Sequence, residues 1–430
     1  MVTELVVYLD GKRCGAVEQT PTGNVTFGYD EEYRVQRGAT PLSLSMPLAA
    51  AMHKKRAILS YLQGLLPDSE EALNAIARRY AVSSRSPFAL LKYVGVDVAG
   101  AVQIVSPETE PSDAMGPRGK SRVVDDSEIG TMLRQVLGEY AEGVPYIGSV
   151  GNFSLAGAQP KIALFKNKQG RWAMPEGATP TTYILKPVAG AIRRIDVVEQ
   201  MTMSAARILG CDVAASMLQT FDGLDVFVTE RYDRKFENGH WHRLHQEDFC
   251  QSLSVPPDKK YQHRDGGPGL AKIAAHIRSL PFEEDRRAVG RDFYRAFVFN
   301  VVAGCTDAHA KNYSLMLQGE HVRLAPLYDL VTYAPYWDGS TRLNTAMSVN
   351  GEYSLARISG DSLVAAGKQF GVGPEAEAIV HSMRVGMVGA FEAARALLKS
   401  TAPEVQTIAD ELMVGLKRMP LIEAVPYAIA

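Results

Sequence analysis

Paired cysteines, a basic leader and a membrane-length apolar run are all missing from this 430-residue chain. Its four cysteines, Cys14, Cys211, Cys250 and Cys305, are scattered without paired spacing. That excludes a disulfide or zinc framework and fits free thiols in a reducing cytosol. The run Met1-Val-Thr-Glu-Leu-Val-Val-Tyr-Leu-Asp10 holds acidic residues and no basic leader, so no signal peptide is expected there. No apolar stretch approaches the roughly 20 residues of a membrane span, and a cytoplasmic protein with no membrane partner is expected. A strong charge of one sign is missing too. The formal net charge of −2 gives no global field toward nucleic acid or anionic lipid. What remains is 46% hydrophobic and 22% charged, the composition of an ordinary globular protein. Its length calls for two or three domains.

Residues 1–105 predict a first module. Leu5-Val-Val-Tyr-Leu9 and Gly11-Lys-Arg-Cys-Gly15 suggest a strand and hairpin, and Asn24-Val-Thr-Phe-Gly28 a further strand. Helices are expected over 57–66 and from the caps Asp68 and Ser69 to Arg79. Residues 106–126 are expected to be a linker, because the run from Ser106 to Ser121 is rich in Pro, Gly, Ser and charge. Ser127 then reads as the cap of a helix with Ile129, Leu133, Val136 and Leu137 on one face. The remainder of an amino-terminal lobe is expected over 127–235, and a mostly helical lobe over 236–430. Within the latter, a helix is expected over 246–253 and a long polar loop over 256–269.

Chemistry concentrates in Thr306-Asp-Ala-His-Ala-Lys-Asn312, followed by Tyr328-Asp329. Magnesium-dependent phosphoryl transfer needs one carboxylate to take the proton of an attacking hydroxyl. It also needs an amide oxygen and a second carboxylate to hold the ions that bridge the phosphates of ATP. Asp307, Asn312 and Asp329 have the right types in the right order, and a neutral Asn ligates a hard cation without adding charge beside the base. Taken alone, the same residues also suit a polar turn.

Other segments add to this reading. Ala156, Gly157 and Ala158 are small enough for backbone N–H groups to approach a phosphate, and Lys161 adds a point charge. The loop does not end in Gly-Lys-Ser/Thr, so it is no Walker A sequence, and a hairpin turn fits as well. Lys186 ends the strand-like Thr182-Tyr-Ile-Leu-Lys-Pro187, either as a solvated terminus or as an ammonium against the ATP phosphates. Glu199, on a helix over 197–209 that stops at Gly210, is placed to be its ion-pair partner. Glu230, Arg231 and Tyr232 follow a buried strand and are candidates for an adenine hinge. His240 and His242 share one face of a strand, a metal pair only if a third ligand exists. Lys259, Lys260 and Arg264 could steer an acidic partner, although a solvated loop is the ordinary reading.

Taken together these segments resemble the HipA family of serine/threonine kinase toxins from type II toxin–antitoxin pairs. The likeness runs through Pro41-Leu-Ser-Leu-Ser-Met-Pro-Leu48, Gly64-Leu-Leu-Pro-Asp-Ser69, Asp97-Val-Ala-Gly-Ala-Val102 and Ser154-Leu-Ala-Gly-Ala-Gln-Pro-Lys161. It continues through Glu230-Arg-Tyr-Asp-Arg234, Gln246-Glu-Asp-Phe-Cys-Gln251, Asp265-Gly-Gly-Pro-Gly269, the Thr306 to Asn312 segment and Leu327-Tyr-Asp329. The resemblance implies an α+β, two-lobed protein-kinase-like fold distantly shared with lipid kinases. Its small lobe would be β-rich and its carboxyl-terminal lobe mostly helical.

The resemblance also implies roles. Asp307 would be the base, Asn312 and Asp329 the Mg2+ ligands, and Lys186 the ATP lysine. Residues Ala156, Gly157, Ala158, Gln159, Pro160 and Lys161 would form the phosphate loop, and Ser154 would be autophosphorylated. His309, Ala310, Lys311 and Tyr328 would complete the nucleotide site. Pro160 and Ala308 depart from a common spelling, and neither removes a charged group. The implied partners are a dimeric, HipB-like helix-turn-helix antitoxin, operator DNA through that antitoxin, and a host aminoacyl-tRNA synthetase as substrate. A small-molecule kinase of the aminoglycoside or lipid type, or a non-catalytic co-repressor of an antitoxin, remain the alternatives.

Overall fold

The computed structural model describes residues 3–109, 121–142, 156–157, 159–167, 169–176, 179–189, 192–238 and 240–423. The chain forms two compact units. One comprises Met1–Ala191, Gln219–Asp258 and Leu315–His321, the other Ile192–Leu218, Lys259–Ser314 and Val322–Ala430.

In the first unit, β1 (Thr3–Leu9) and β2 (Lys12–Gln19) pair antiparallel across Asp10-Gly11. Both turn residues take positive φ, 46° and 75°, which Asp-Gly accommodates and which matches the twist of a tight hairpin. β3 (Val25–Tyr29), β4 (Met52–His53) and β5 (Val102–Val105) complete a sheet of order β4-β3-β2-β1-β5. One face of it is closed by the helices Lys55–Gly64, Glu70–Tyr80 and Pro87–Val94, with Phe27, Ile58, Tyr61 and Leu91 in the core between. Ser69 caps the second helix by accepting from the Ala72 N–H at 3.1 Å, as its sequence position predicts.

The second sheet of this unit carries β6 (Ser121–Val123), β7 (Ile162–Lys166), β8 (Trp172–Pro175) and β9 (Tyr183–Pro187). With β10 (Ser216–Phe221) and β11 (Leu224–Glu230) its order is β10-β11-β9-β7-β8-β6. Ser121–Val123 thus belongs to a sheet, where a linker was expected. The helix after it spans Asp126–Glu142. Its cap is Asp125, not Ser127: Asp125 accepts from the Glu128 N–H at 2.9 Å while Glu128 accepts from the Asp125 N–H. The expected helix over 246–253 is also shorter. His245–Asp248 is a strand, and a capping box between Asp248 and Gln251 starts the helix Phe249–Ser252.

The partition differs from a break after residue 235, and buried charge explains why. Asp97, at the end of the first module, meets Arg231, Arg234 and Arg243 at 3.5, 2.9 and 3.4 Å, and Asp233 pairs with Arg231 and Arg234. All five side chains are buried. Thr181 donates to Asp97 at 2.6 Å, Gly100 N–H donates to Asp233 at 2.7 Å, and Arg231 and Arg234 donate to the Val98 carbonyl. Three guanidinium groups face two carboxylates, and Asp10 bonds the backbone of Arg243 at 3.0 Å. Burial alone would raise the Asp97 carboxyl, but Arg234, Arg231 and Arg243 hold it well below the usual range. Burial and the neighbouring Arg231 pull Arg234 down to about 10, so it stays charged at neutral pH. This cluster commits the 231–243 stretch to the first unit.

The second unit is mostly helical. Ile195–Ile208 packs against Gly373–Ala396 and Pro403–Leu416, so its residues group with the carboxyl-terminal helices. The expected long loop over 256–269 holds a short helix, Gln262–Asp265. A hairpin, Asn344–Val349 with Glu352–Ser354, interrupts the helical run. Among the described residues no helix is long and apolar enough to cross a membrane. All four cysteines are buried free thiols.

Two outcomes are expected. Asp97→Ala leaves three buried guanidinium groups short of a carboxylate and destabilises the first unit by about 3–5 kcal/mol, read as a lowered denaturant midpoint. Glu247 supplies a pH dependence. Burial pushes it from 4.5 up to about 8, against hydrogen bonds from Ser43 Oγ and the Leu44 N–H. The folded state therefore keeps a proton that the unfolded chain releases. That stabilisation is full below about 4.5 and is lost as pH rises through about 8. Thermal midpoints of Glu247→Gln should fall less than those of the parent between these limits.

Candidate active site

The phosphate-loop candidates end directly at β7. Gly157 has φ 106°, a backbone conformation that disfavours any side chain, and a Cβ there would also displace Lys161 Nζ, 2.5 Å away. Lys161 Nζ donates to the Ala156 carbonyl at 2.6 Å, closing the loop on itself. The Asp68 N–H meets the Gly157 carbonyl at 3.4 Å, so the first module reaches this loop. Gln159 and Pro160 lie between these anchors. Ala158 and Ser154 fall outside the described residues.

β7 pairs with β9 antiparallel, Ile162 opposite Leu185, with Lys161 just before β7 and Lys186 following Leu185 on β9. β9 pairs in turn with β11, Lys186 opposite Phe227, and the ammonium lies 5.5 Å from that ring. Glu230 ends β11, exposed. The Arg231 N–H donates to the Thr182 carbonyl at 2.9 Å, and its side chain belongs to the buried cluster. That donor is therefore already engaged, while Tyr232 directs its hydroxyl to Gln246 Oε1. Of the histidine pair, His242 bonds Asp10 at 3.2 Å, and no metal-holding group among the described residues includes it or His240.

The second unit assembles Asp307, Asn312 and Asp329. Helix Glu283–Ala303 stops at Gly304, φ 72°, where the Cys305 N–H closes onto the Asn300 carbonyl at 2.8 Å. The chain turns at once into the 306–312 segment. Asp307's carbonyl accepts from the His309 N–H at 2.8 Å and from Asn312 Nδ2 at 2.9 Å. With its nitrogen so engaged, Asn312 keeps its Oδ1 as an acceptor. His309, Ala310, Lys311 and Asn312 are buried. Tyr328 Oη donates to the Lys311 carbonyl at 2.7 Å and bonds Ser314 Oγ at 2.7 Å.

Asp329 is brought in from both sides. The Leu327 N–H and carbonyl bond Asp212 and Ala214, and Thr332 Oγ1 and the Tyr333 N–H bond the Ala303 and Gly304 carbonyls. Between these anchors Asp329 takes φ 58°. Glu199 sits buried on Ile195–Ile208 in the same unit.

Crowding by protein raises the Asp307 carboxyl, the Tyr261 hydroxyl opposes this, and the charge of Asp329 raises it further. Because the carboxyl face is exposed, solvent reduces the size of that shift without reversing it. Two carboxylates that disfavour each other's charge, with an amide oxygen beside them, fit a divalent cation. Tyr261, which donates to Asp307 Oδ1, was not legible beforehand. Forty-odd residues separate the pair, and the only signal was its place in a basic Lys-Lys-Tyr run.

This fold is of the α+β, two-lobed kinase-like class. It superposes on the structure of a Shewanella oneidensis HipA, solved with HipB and operator DNA, at a TM-score of 0.80. That match has 23% identity and covers 98% of this chain and 100% of that one. In sequence, residues 5–105 match the HipA N-terminal domain and residues 153–391 the HipA-like C-terminal domain. The Sinorhizobium fredii protein named "Putative kinase Y4mE" is 34% identical over 86% of this chain and 87% of its own length. "Serine/threonine-protein kinase toxin HipA" of Shewanella oneidensis is 30% identical over 77% of this chain and 75% of its own. The chain belongs to the HipA family.

Proposed function

We propose that this chain is an ATP- and Mg2+-dependent serine/threonine-protein kinase acting as the toxin of a toxin–antitoxin pair. The observation that carries the reading is the set Asp307, Asn312 and Asp329, with the amide nitrogen of Asn312 spent on the Asp307 backbone and its oxygen left to ligate. Asn312 and Asp329 would hold the cation, which when bound neutralises charge on the transferring phosphoryl group. Asp307 takes the proton of an acceptor serine as that oxygen attacks the γ-phosphorus and ADP leaves. A carboxyl raised above its ordinary value is the stronger base for this step. Lys161 and Lys186 are the proposed phosphate lysines, with the loop around Gly157 leading into the first of them.

The partner reading is a helix-turn-helix antitoxin dimer that brings the kinase to operator DNA. It is supported by the Shewanella HipA solved with HipB and operator DNA. The weak overall charge agrees, since strong phosphate-backbone affinity needs a basic surface. The proposed substrate is a serine of a host aminoacyl-tRNA synthetase. Ser154 is the proposed site of autophosphorylation, where about −1.5 to −2 charges would repel the phosphates of ATP.

Labelled ATP incubated with each purified host synthetase, and with small aminoglycoside and lipid acceptors, tests the reading. Label should appear on a synthetase serine. Asp307→Ala and Asp329→Ala should each cut transfer by about 10²–10⁴-fold with little loss of fold. Label on small acceptors alone, or full transfer by either variant, rejects the assignment. Ser154→Ala should stay active longer than the parent in the same assay, with no label on the chain itself at that position.

A further inference from the structure

The backbone of Asp307 is fixed through its carbonyl, which leaves only the side-chain torsions to be set. Tyr261 sets them. Its hydroxyl donates to Oδ1 of Asp307. Its ring is held edge-on against His309, with centroids 4.8 Å apart and planes at 86°. The guanidinium of Arg264 lies 4.4 Å from the same centroid. The segment behind the ring is anchored too. The Tyr261 carbonyl accepts from the Gly267 N–H at 3.0 Å, and the next residue, Gln262, accepts through Oε1 from the Ser348 N–H at 2.8 Å. A Cβ at Gly269 would fall 2.4 Å from the Gln262 side chain, so the glycine keeps that anchor seated.

A carboxylate offers two oxygens and about four lone-pair sites. With Oδ1 held by a phenol on a fixed ring, Oδ2 keeps one orientation and is left for an incoming hydroxyl. We infer that Tyr261 is a positioning residue, aiming Oδ2 of Asp307 at the acceptor. The inference rests on Asp307 being the base of the proposed kinase. It assigns the basic 259–264 segment a part in the chemistry in addition to any part in steering a partner. Reacting groups must be placed to within fractions of an ångström, and a misplacement of about 1 Å costs about 10²-fold.

Tyr261→Phe removes the hydroxyl and keeps the ring on His309 and Arg264. It should be compared with the parent as the full chain, with MgATP and the pooled host synthetases as acceptors, following ADP release and nucleotide affinity in parallel. The expected result is a fall in kcat of about 10- to 100-fold, with KM for ATP, nucleotide affinity and thermal midpoint unchanged. An unchanged kcat overturns the inference. So does a raised kcat, which would make Tyr261 a plug on the base. A fall in kcat matched by lost nucleotide affinity or a lowered midpoint overturns it as well, since that is a structural defect. Absence of turnover in the parent itself rejects the kinase reading, and this inference with it.

Discussion

The first unit depends on the pairing of Asp97 with Arg231, Arg234 and Arg243. Charges of this kind are tolerated inside a protein only when each is answered by an opposite charge or a hydrogen bond. Here Thr181, Val98 and Gly100 supply the remaining bonds. The residues concerned come from the HipA N-terminal domain at one end and from the 231–243 stretch at the other. An apolar contact would hold these pieces together about as well, but it would accept several registers. Guanidinium forks on carboxylates accept few, so the cluster fixes where the strand β11 ends and where the next turn begins.

That constraint bears on how nucleotide is held. The backbone at 230–232 was expected to present donors and acceptors to an adenine ring. One donor, the Arg231 N–H, is already spent on Thr182, in service of the same cluster. An adenine bound at this proposed hinge would therefore not meet the Arg231 N–H. The lysines are better determined. β7 and β9 are adjacent, and Lys161 and Lys186 each flank the Ile162–Leu185 pair, one before β7 and one after Leu185.

Much of this was legible in the sequence where a residue type allows only one conformation or one role. Ser69 reads as a cap and residues 5–15 as a strand and hairpin, and Asp307, Asn312 and Asp329, ordered along the chain, lie in one unit. The errors came where local pattern and tertiary demand conflict. Ser127 is as good a cap as Asp125 by composition, and only the Asp125–Glu128 reciprocal bonds decide between them. Gln246, Glu247 and Asp248 read as a helix start, yet the strand wins because Glu247 is drawn inward to Ser43 and Leu44. Linker chemistry at Ser121 hid a strand whose partner, β8, lies fifty residues on. The bond from Tyr261 to Asp307 could not be read at all, since nothing in either residue's neighbourhood names the other.

Asp329 illustrates how such a site can change over time. Its left-handed backbone, φ 58°, is comfortable for Gly, Asn and Asp and costly for most other residues. Of these three only Asp brings a negative charge. A single-base change from Asp to Asn would thus keep the turn and the packing while weakening the cation binding proposed for this residue. On the proposed reading, the chain sits one mutational step from a folded copy without its chemistry. Duplicated genes of this kind could therefore drift toward pure binding roles without passing through an unfolded intermediate.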